Sequence, residues 1–194
     1  MTTTLFLILA ISILVPQAGH NLIQDPGFDQ CYLSNDYWHT LGRWDQIWCL
    51  PFGTPVPPSS GEGMASNGGD NNAVDALYQP IDLTGLGGDM IACFDWWIQT
   101  TEPGTEQRDT CSVQLRTADM LYLHATLWRG YNVDALDGWS RTCVKVQDVH
   151  GLGLVNFSLE AVTDAANPTT CNWDNTVFMA WPSYEVMVPL VVNQ

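Results

Sequence analysis

The chain has 194 residues, of which 46% are hydrophobic, so it can build one folded domain but is too short for two comfortable ones. Only 6 Lys and Arg residues stand against 21 Asp and Glu, which gives a formal net charge of −15 at pH 7. This balance argues against nucleic acid as a partner, because phosphate binding needs clusters of basic side chains, and it disfavours anionic membrane surfaces.

The first element is an apolar run at residues 5–15. No basic residue precedes it and no good A-x-A site follows it, which disfavours a simple signal peptide. The run has about half of the ~20 residues that cross a bilayer core. We therefore predict that residues 1–19 form an arm whose strand is apolar on both faces and must be covered by a sheet. One face of this strand would carry Leu5, Leu7, Leu9, Ile11, Ile13 and Val15.

The remaining residues, 20–194, are predicted to form one all-β domain. Short β-type runs alternate there with Gly, Pro, Asn and Asp, a spacing typical of a sandwich or barrel. We expect no long helix, and the stretch between Cys31 and Asp75 is predicted to be rich in loops. The predicted strands cover residues 21–24, 76–83, 90–100, 111–127, 139–149, 155–163, 176–180 and 184–192.

The cysteines predict an oxidising, extracellular environment. Their number is even and no C-x-x-C pair suggests zinc, so three disulfides are expected from Cys31, Cys49, Cys93, Cys111, Cys143 and Cys171. The sequence does not fix the pairing, but Cys31–Cys49 is preferred because it closes a short loop. The other four are expected to join neighbouring strands or the two sheets. The sequon at Asn156 predicts a glycoprotein.

Five motifs follow one another along the chain: NLIQDPGFD at 21–29, ALYQPIDL at 76–83, CFDWW at 93–97, WSRTCV at 139–144 followed by GLG at 151–153, and WDNTV at 173–177. In this order they resemble the carbohydrate-binding jelly rolls of families 4, 9 and 22. The resemblance implies a jelly-roll β-sandwich, a fold that carries binding modules and structural subunits alike.

The same resemblance implies a structural Ca²⁺ between the opening and closing strands. At the matching positions stand Asp29, the region of Glu62 and Gly63, and Asp174. Ca²⁺ binds six to eight hard oxygens, which carboxylates and carbonyls supply. The alternative is that Asp174 caps a turn and that Asp29 is only solvated.

A second candidate site is an aromatic platform for sugar rings. Of nine Trp residues, Trp38, Trp44, Trp48 and Trp128 fall in positions typical of loops or strand edges, where a ring face could be exposed. The alternative is a small core that Cys31 and Cys49 close around the loop tryptophans.

The sequence contains few of the motifs that mark the active site of an enzyme. There is no G-x-S-x-G elbow, no H-x-x-x-H pair and no E-x-D-x-E run of the kind that jelly-roll glycosidases often carry. We therefore expect that the protein is not an enzyme.

Two functions remain open. The first is a pilus-like extracellular filament, in which the arm inserts as a donor strand into the jelly roll of the next copy, making the chain its own partner. The alternative is a secreted, lectin-like carbohydrate-binding module that binds glycans. A third, minor possibility is a surface domain that residues 2–16 tether to a membrane.

Overall fold

A computed structural model of the chain describes residues 19–31, 36–43, 46–50 and 55–181. Within these ranges the chain is all-β, with strands and one short 3₁₀ turn, Asn132–Asp134. The strands are β1 His39–Leu41, β2 Ile47–Cys49, β3 Gly63–Gly68, β4 Val74–Asp82, β5 Met90–Thr100, β6 Thr110–Thr117, β7 Leu123–Tyr131, β8 Ser140–Val146, β9 Leu154–Val162 and β10 Thr169–Ala180.

The strands form two antiparallel five-stranded sheets that pack face to face. The front sheet has the order β1-β4-β9-β6-β7 and the back sheet the order β2-β3-β10-β5-β8. From β3 onward the chain crosses to the other sheet at every connection except the β6–β7 hairpin. This is the eight-stranded jelly roll, with β1 and β2 added as short edge strands. The predicted β-sandwich is therefore confirmed.

The core lies between the sheets because each central strand alternates its side chains. In β9, Val155, Phe157 and Leu159 point inward and are buried, while Ser158 and Glu160 point to the outer face. In β5 the inward side chains belong to Met90, Ala92, Phe94, Trp96 and Ile98, and all five belong to one contiguous core.

Some predicted strands differ from the observed ones. The predicted run 90–100 is β5 itself, but the predicted run 111–127 is broken at residues 118–122 into β6 and β7. Side chains stabilise this turn: Oδ1 of Asp119 accepts the backbone N–H of Leu121, and Oγ1 of Thr117 accepts that of Tyr122. The predicted runs 5–15 and 184–192 lie outside the described residues.

The segment expected to be rich in loops contributes structure that the sequence did not suggest. It contains β1, β2 and β3, and residues 55–62 fold across the outer face of the back sheet. Oγ of Ser59 donates to Oδ2 of Asp95 (2.6 Å), and Nε1 of Trp139 donates to the carbonyl of Pro57 (2.8 Å). Residues 55–62 therefore cover part of the outer face of the back sheet.

Three disulfides join the elements, and the preferred pair Cys31–Cys49 is confirmed. Cys93–Cys143 links the neighbouring strands β5 and β8, and Cys111–Cys171 links β6 of the front sheet to β10 of the back sheet. As expected, one of these two disulfides joins neighbouring strands and the other joins the two sheets.

The residues of the predicted donor strand, Leu5 to Val15 on alternate positions, lie outside the described part of the chain. In that part, each strand of both sheets is hydrogen-bonded to its neighbours in the stated order, so neither sheet has an internal gap for a donor strand. No helix among the described residues has the length and apolar character needed to cross a membrane.

Candidate functional site

A pocket of about 530 Å³ opens at one edge of the sandwich, where β7 of the front sheet meets β5 of the back sheet. The rings of Trp96 and Trp128 lie in its wall, with centroids 4.8 Å apart and planes inclined at 41°. The other lining residues are Arg129, Val133, Asp134, Ala135 and Leu136, from the end of β7 and the 3₁₀ turn with the residues that follow it.

Trp128 is held in place by other aromatic rings. It pairs across the strands with Val113 and so points inward, where it meets Phe94 and Trp173 at centroid distances of 5.6 and 5.8 Å. Gly130 allows this arrangement, because a methyl group on it would lie 2.5 Å from Cη2 of Trp128. The aromatic wall is therefore rigid and belongs partly to the core.

The rim of the pocket is polar and charged. Arg129 is exposed, and the exposed Asp134 uses Oδ2 to accept the backbone N–H of Tyr131 (2.8 Å), which fixes the 3₁₀ turn. On the back-sheet side, Nε1 of Trp96 donates to Oγ1 of Thr142 (2.8 Å). An aromatic wall with a few fixed polar groups around it is the usual composition of a small-ligand site.

The structure does not assemble the four tryptophans of the predicted platform. Trp38 is only 3% exposed: it packs on Phe28, and its Nε1 donates to the carbonyl of Asp25 (3.1 Å). Trp48 is half-buried in β2, an edge strand of the back sheet, whereas β7 is an edge strand of the front sheet. Trp44 lies outside the described residues. Of the four, only Trp128 lines the pocket.

The predicted platform did not include Trp96, which the structure places in the wall of the pocket. Trp96 does face inward, and it is 9% exposed. It reaches the pocket because its neighbour across the sandwich, β7, is an edge strand of the front sheet. No local pattern carries that information, since it depends on strand order.

The outer face of the front sheet holds a second, smaller groove of about 230 Å³. Its floor is an ion pair in which Nε and Nη2 of Arg116 donate to the two carboxylate oxygens of Glu160 (2.5 and 2.7 Å). Leu41, Val74 and Val162 form an exposed apolar rim. Because the charges here already satisfy one another, this groove offers a ligand fewer free polar groups than the pocket does.

The two predicted calcium ligands, Asp29 and Asp174, lie close together beside Gly27. A methyl group on Gly27 would be 3.2 Å from Oδ2 of Asp29 and 3.8 Å from Oδ1 of Asp174. Asp174 is fully buried, and burial raises its pKa to about 6. The backbone N–H groups of Ser60 and Glu62 donate to Asp174 and Asp29, respectively. Among the described residues, no group of three acidic, His or Cys side chains is placed to hold a metal.

The predicted glycosylation site is not presented by the folded chain. Asn156 is 1% exposed, and its Nδ2, the atom that would carry a glycan, donates to the carbonyls of Thr117 and Ala118 (both 3.0 Å). Sequence alone missed this because the outer face of β9 is expected to meet solvent, whereas the β6–β7 turn covers it.

Comparison with known proteins gives the fold. No protein-family model and no curated protein matches the sequence. The solved structure of the carbohydrate-binding module TmCBM61 in complex with β-1,4-galactotriose is similar, with a TM-score of 0.57 at 12% identity over 84% of this chain and 100% of that one. A structure of carbohydrate-binding modules from the β-sandwich superfamily gives a TM-score of 0.51 at 16% identity, over 80% of this chain and 61% of that one.

Enzyme domains are among the similar structures as well. The enzymatically active domain of tailspike protein 4 from bacteriophage CBA120 gives a TM-score of 0.52 at 11% identity, over 82% of this chain and 21% of that one. At these identities the likeness concerns architecture. The chain therefore has the β-sandwich fold that carbohydrate-binding modules share with domains of larger proteins.

Proposed function

We propose that the protein is an extracellular carbohydrate-binding module that holds a sugar ring in the pocket walled by Trp96 and Trp128. The observation that carries the proposal is this pocket: two indole rings beside the polar groups of Arg129 and Asp134, at the edge of a sandwich similar to TmCBM61. Sugar C–H faces pack on aromatic rings, while hydroxyls need nearby donors and acceptors. Three disulfides support an oxidising environment outside the cell.

The lining of the pocket supports binding rather than hydrolysis. Most glycosidases place two carboxyl groups on either side of the scissile bond. The described lining contributes one, Asp134, and that carboxylate is already engaged by a backbone N–H.

The test is a binding titration of the full chain against neutral oligosaccharides, beginning with β-1,4-galactotriose and extending to gluco-, xylo- and manno-oligosaccharides. Ala135→Leu would fill part of the pocket without removing a core residue, because Ala135 is exposed in its lining. We expect it to weaken binding at least about tenfold, equivalent to about 1.4 kcal/mol. The matched control is Ala118→Leu, at an alanine that is also exposed and lies in the β6–β7 turn at the other end of β7.

The proposal would be contradicted if the folded protein bound none of these oligosaccharides. Binding that Ala135→Leu and Ala118→Leu leave equally unchanged would place the sugar elsewhere, and the front-sheet groove of Arg116 and Glu160 would be the next surface to alter.

We also propose that Asp29 and Asp174 bind a structural Ca²⁺. The fit rests on two carboxylates that converge on Gly27, one of them fully buried, where an ionised group without a cation is costly. The remaining ligands would have to be carbonyl oxygens and water, which Ca²⁺ accepts. When bound, the ion would tie the segment before β1 to β10. We expect a Ca²⁺-dependent rise in melting temperature, which chelation reverses.

Polymerisation through residues 5–15 stays a hypothesis from the sequence alone. No contact among the described residues favours it. Electron microscopy of the full chain beside a variant lacking residues 1–16 tests it, since only the full chain should form fibres.

A further inference from the structure

The six basic side chains of this acidic protein are unequally engaged. Five of them are held by acceptors of the chain itself, while the guanidinium of Arg129 makes no hydrogen bond or ion pair with any described residue. The five contacts join Arg43 to the carbonyls of Ser66 and Gly68, Arg108 to Glu106, Arg116 to Glu160, Arg141 to Asp95, and Lys145 to Asp89.

The guanidinium without an internal partner belongs to a residue that lines the pocket, Arg129. Arg129 directly follows Trp128 in β7, and both line the cavity together with Asp134. Asp134 is the carboxylate of that lining, yet it forms no ion pair with Arg129 and instead accepts the N–H of Tyr131. The chain has 21 acidic residues, yet none of those described accepts a hydrogen bond from the Arg129 side chain. Its guanidinium is therefore positioned to donate to an acceptor on a bound ligand.

The chemistry of that acceptor follows from the guanidinium. Its planar donors match two oxygens of a carboxylate or sulfate, and such charge-assisted bonds are roughly twice as strong as those to neutral hydroxyls. The net charge of −15 repels a dense polyanion at a distance, so a saccharide with isolated acidic groups fits better than a highly charged polymer.

We infer that this pocket selects an acidic saccharide, whose ring packs on Trp96 and Trp128 while its carboxylate or sulfate ester pairs with Arg129. This inference rests on the proposed function, because it requires that the pocket bind sugars at all. It adds that the anionic group, rather than the pattern of hydroxyls alone, provides a large part of the selectivity.

The experiment measures by calorimetry how tightly the full chain binds three trisaccharides that share one backbone. They are β-1,4-galactotriose, its uronic acid counterpart and its sulfated counterpart. We expect at least one anionic form to bind at least about tenfold more tightly than the neutral one, as one new charge-assisted contact implies. If the uronic acid form gains more, the group is a carboxylate, and if the sulfated form gains more, it is a sulfate ester.

The decisive readout is the ratio of anionic to neutral affinity. Arg129→Gln should bring that ratio close to one, whereas Arg108→Gln, an exposed arginine outside the lining of the pocket, should keep the wild-type ratio. Circular dichroism checks that both variants fold. Neutral binding with no anionic preference would overturn this inference and leave the proposed function standing. Absence of binding to any of the three and to the neutral panel would overturn both.

Discussion

Gly130 is where a single methyl group should disturb both the core and the pocket. A Cβ at this position would lie 2.5 and 2.8 Å from Cη2 and Cζ2 of Trp128, and 2.8 Å from Cδ1 of Ile98. The backbone φ of Gly130 lies outside the left-handed region, so Gly130→Ala is opposed by crowding rather than by backbone strain. Trp128 cannot swing away freely, because Phe94 and Trp173 pack against it.

Overpacking of a closely packed core costs about 1–3 kcal/mol. In a chain of this size that loss lowers the melting temperature by roughly 2–4 °C for each kcal/mol. Because Trp128 also walls the pocket, its displacement should weaken saccharide binding. Urea unfolding followed by circular dichroism measures the first effect, and calorimetric titration measures the second.

Gly87→Ala is the matched control. Gly87 also lies outside the left-handed region, and its nearest contact for a new Cβ is Nδ1 of His150 at 3.5 Å, an ordinary van der Waals distance. We expect no loss of stability there, and a gain of about 0.4–1 kcal/mol if the backbone accepts alanine without strain. Equal stability and equal binding of Gly130→Ala and the wild type would refute the reasoning that Trp128 is fixed by close packing.

Three further predictions follow from the strands and the calcium proposal. Replacing both Cys111 and Cys171 by Ala should lower the free energy of unfolding by about 2–4 kcal/mol, because it removes the link between the sheets, and urea denaturation under oxidising conditions measures this. Asp174→Asn should abolish the Ca²⁺-dependent rise in melting temperature, and a rise that survives in this variant would argue against Asp174 as a ligand. Folded protein secreted by a glycosylating host should carry no glycan on Asn156, so a glycosidase should leave its mass unchanged.

The strands that the sequence predicted best are those whose alternation is strong and uninterrupted. β5 and β9 carry an apolar side chain at every second position, and a half-buried strand needs little more information than that. β3 was not predicted because its sequence, GMASNG, has no such alternation, although all six of its residues are buried. The break between β6 and β7 was not predicted, because hydrogen bonds to the side chains of Thr117 and Asp119 stabilise a turn that contains no Gly or Pro.

By itself, the sequence determined the all-β class and the expectation of three disulfides, because these depend on local periodicity and on counts. It also gave a preference for the Cys31–Cys49 pair and a resemblance to jelly rolls. Tertiary structure alone decided which aromatic rings are accessible. The sequence pattern predicts an exposed ring face for Trp38, yet this residue is buried, since exposure depends on which strand or loop packs above a ring. The same holds for Arg129: an arginine is recognisable in any sequence, but whether a carboxylate of the same chain already holds it is settled only when the strands are brought together.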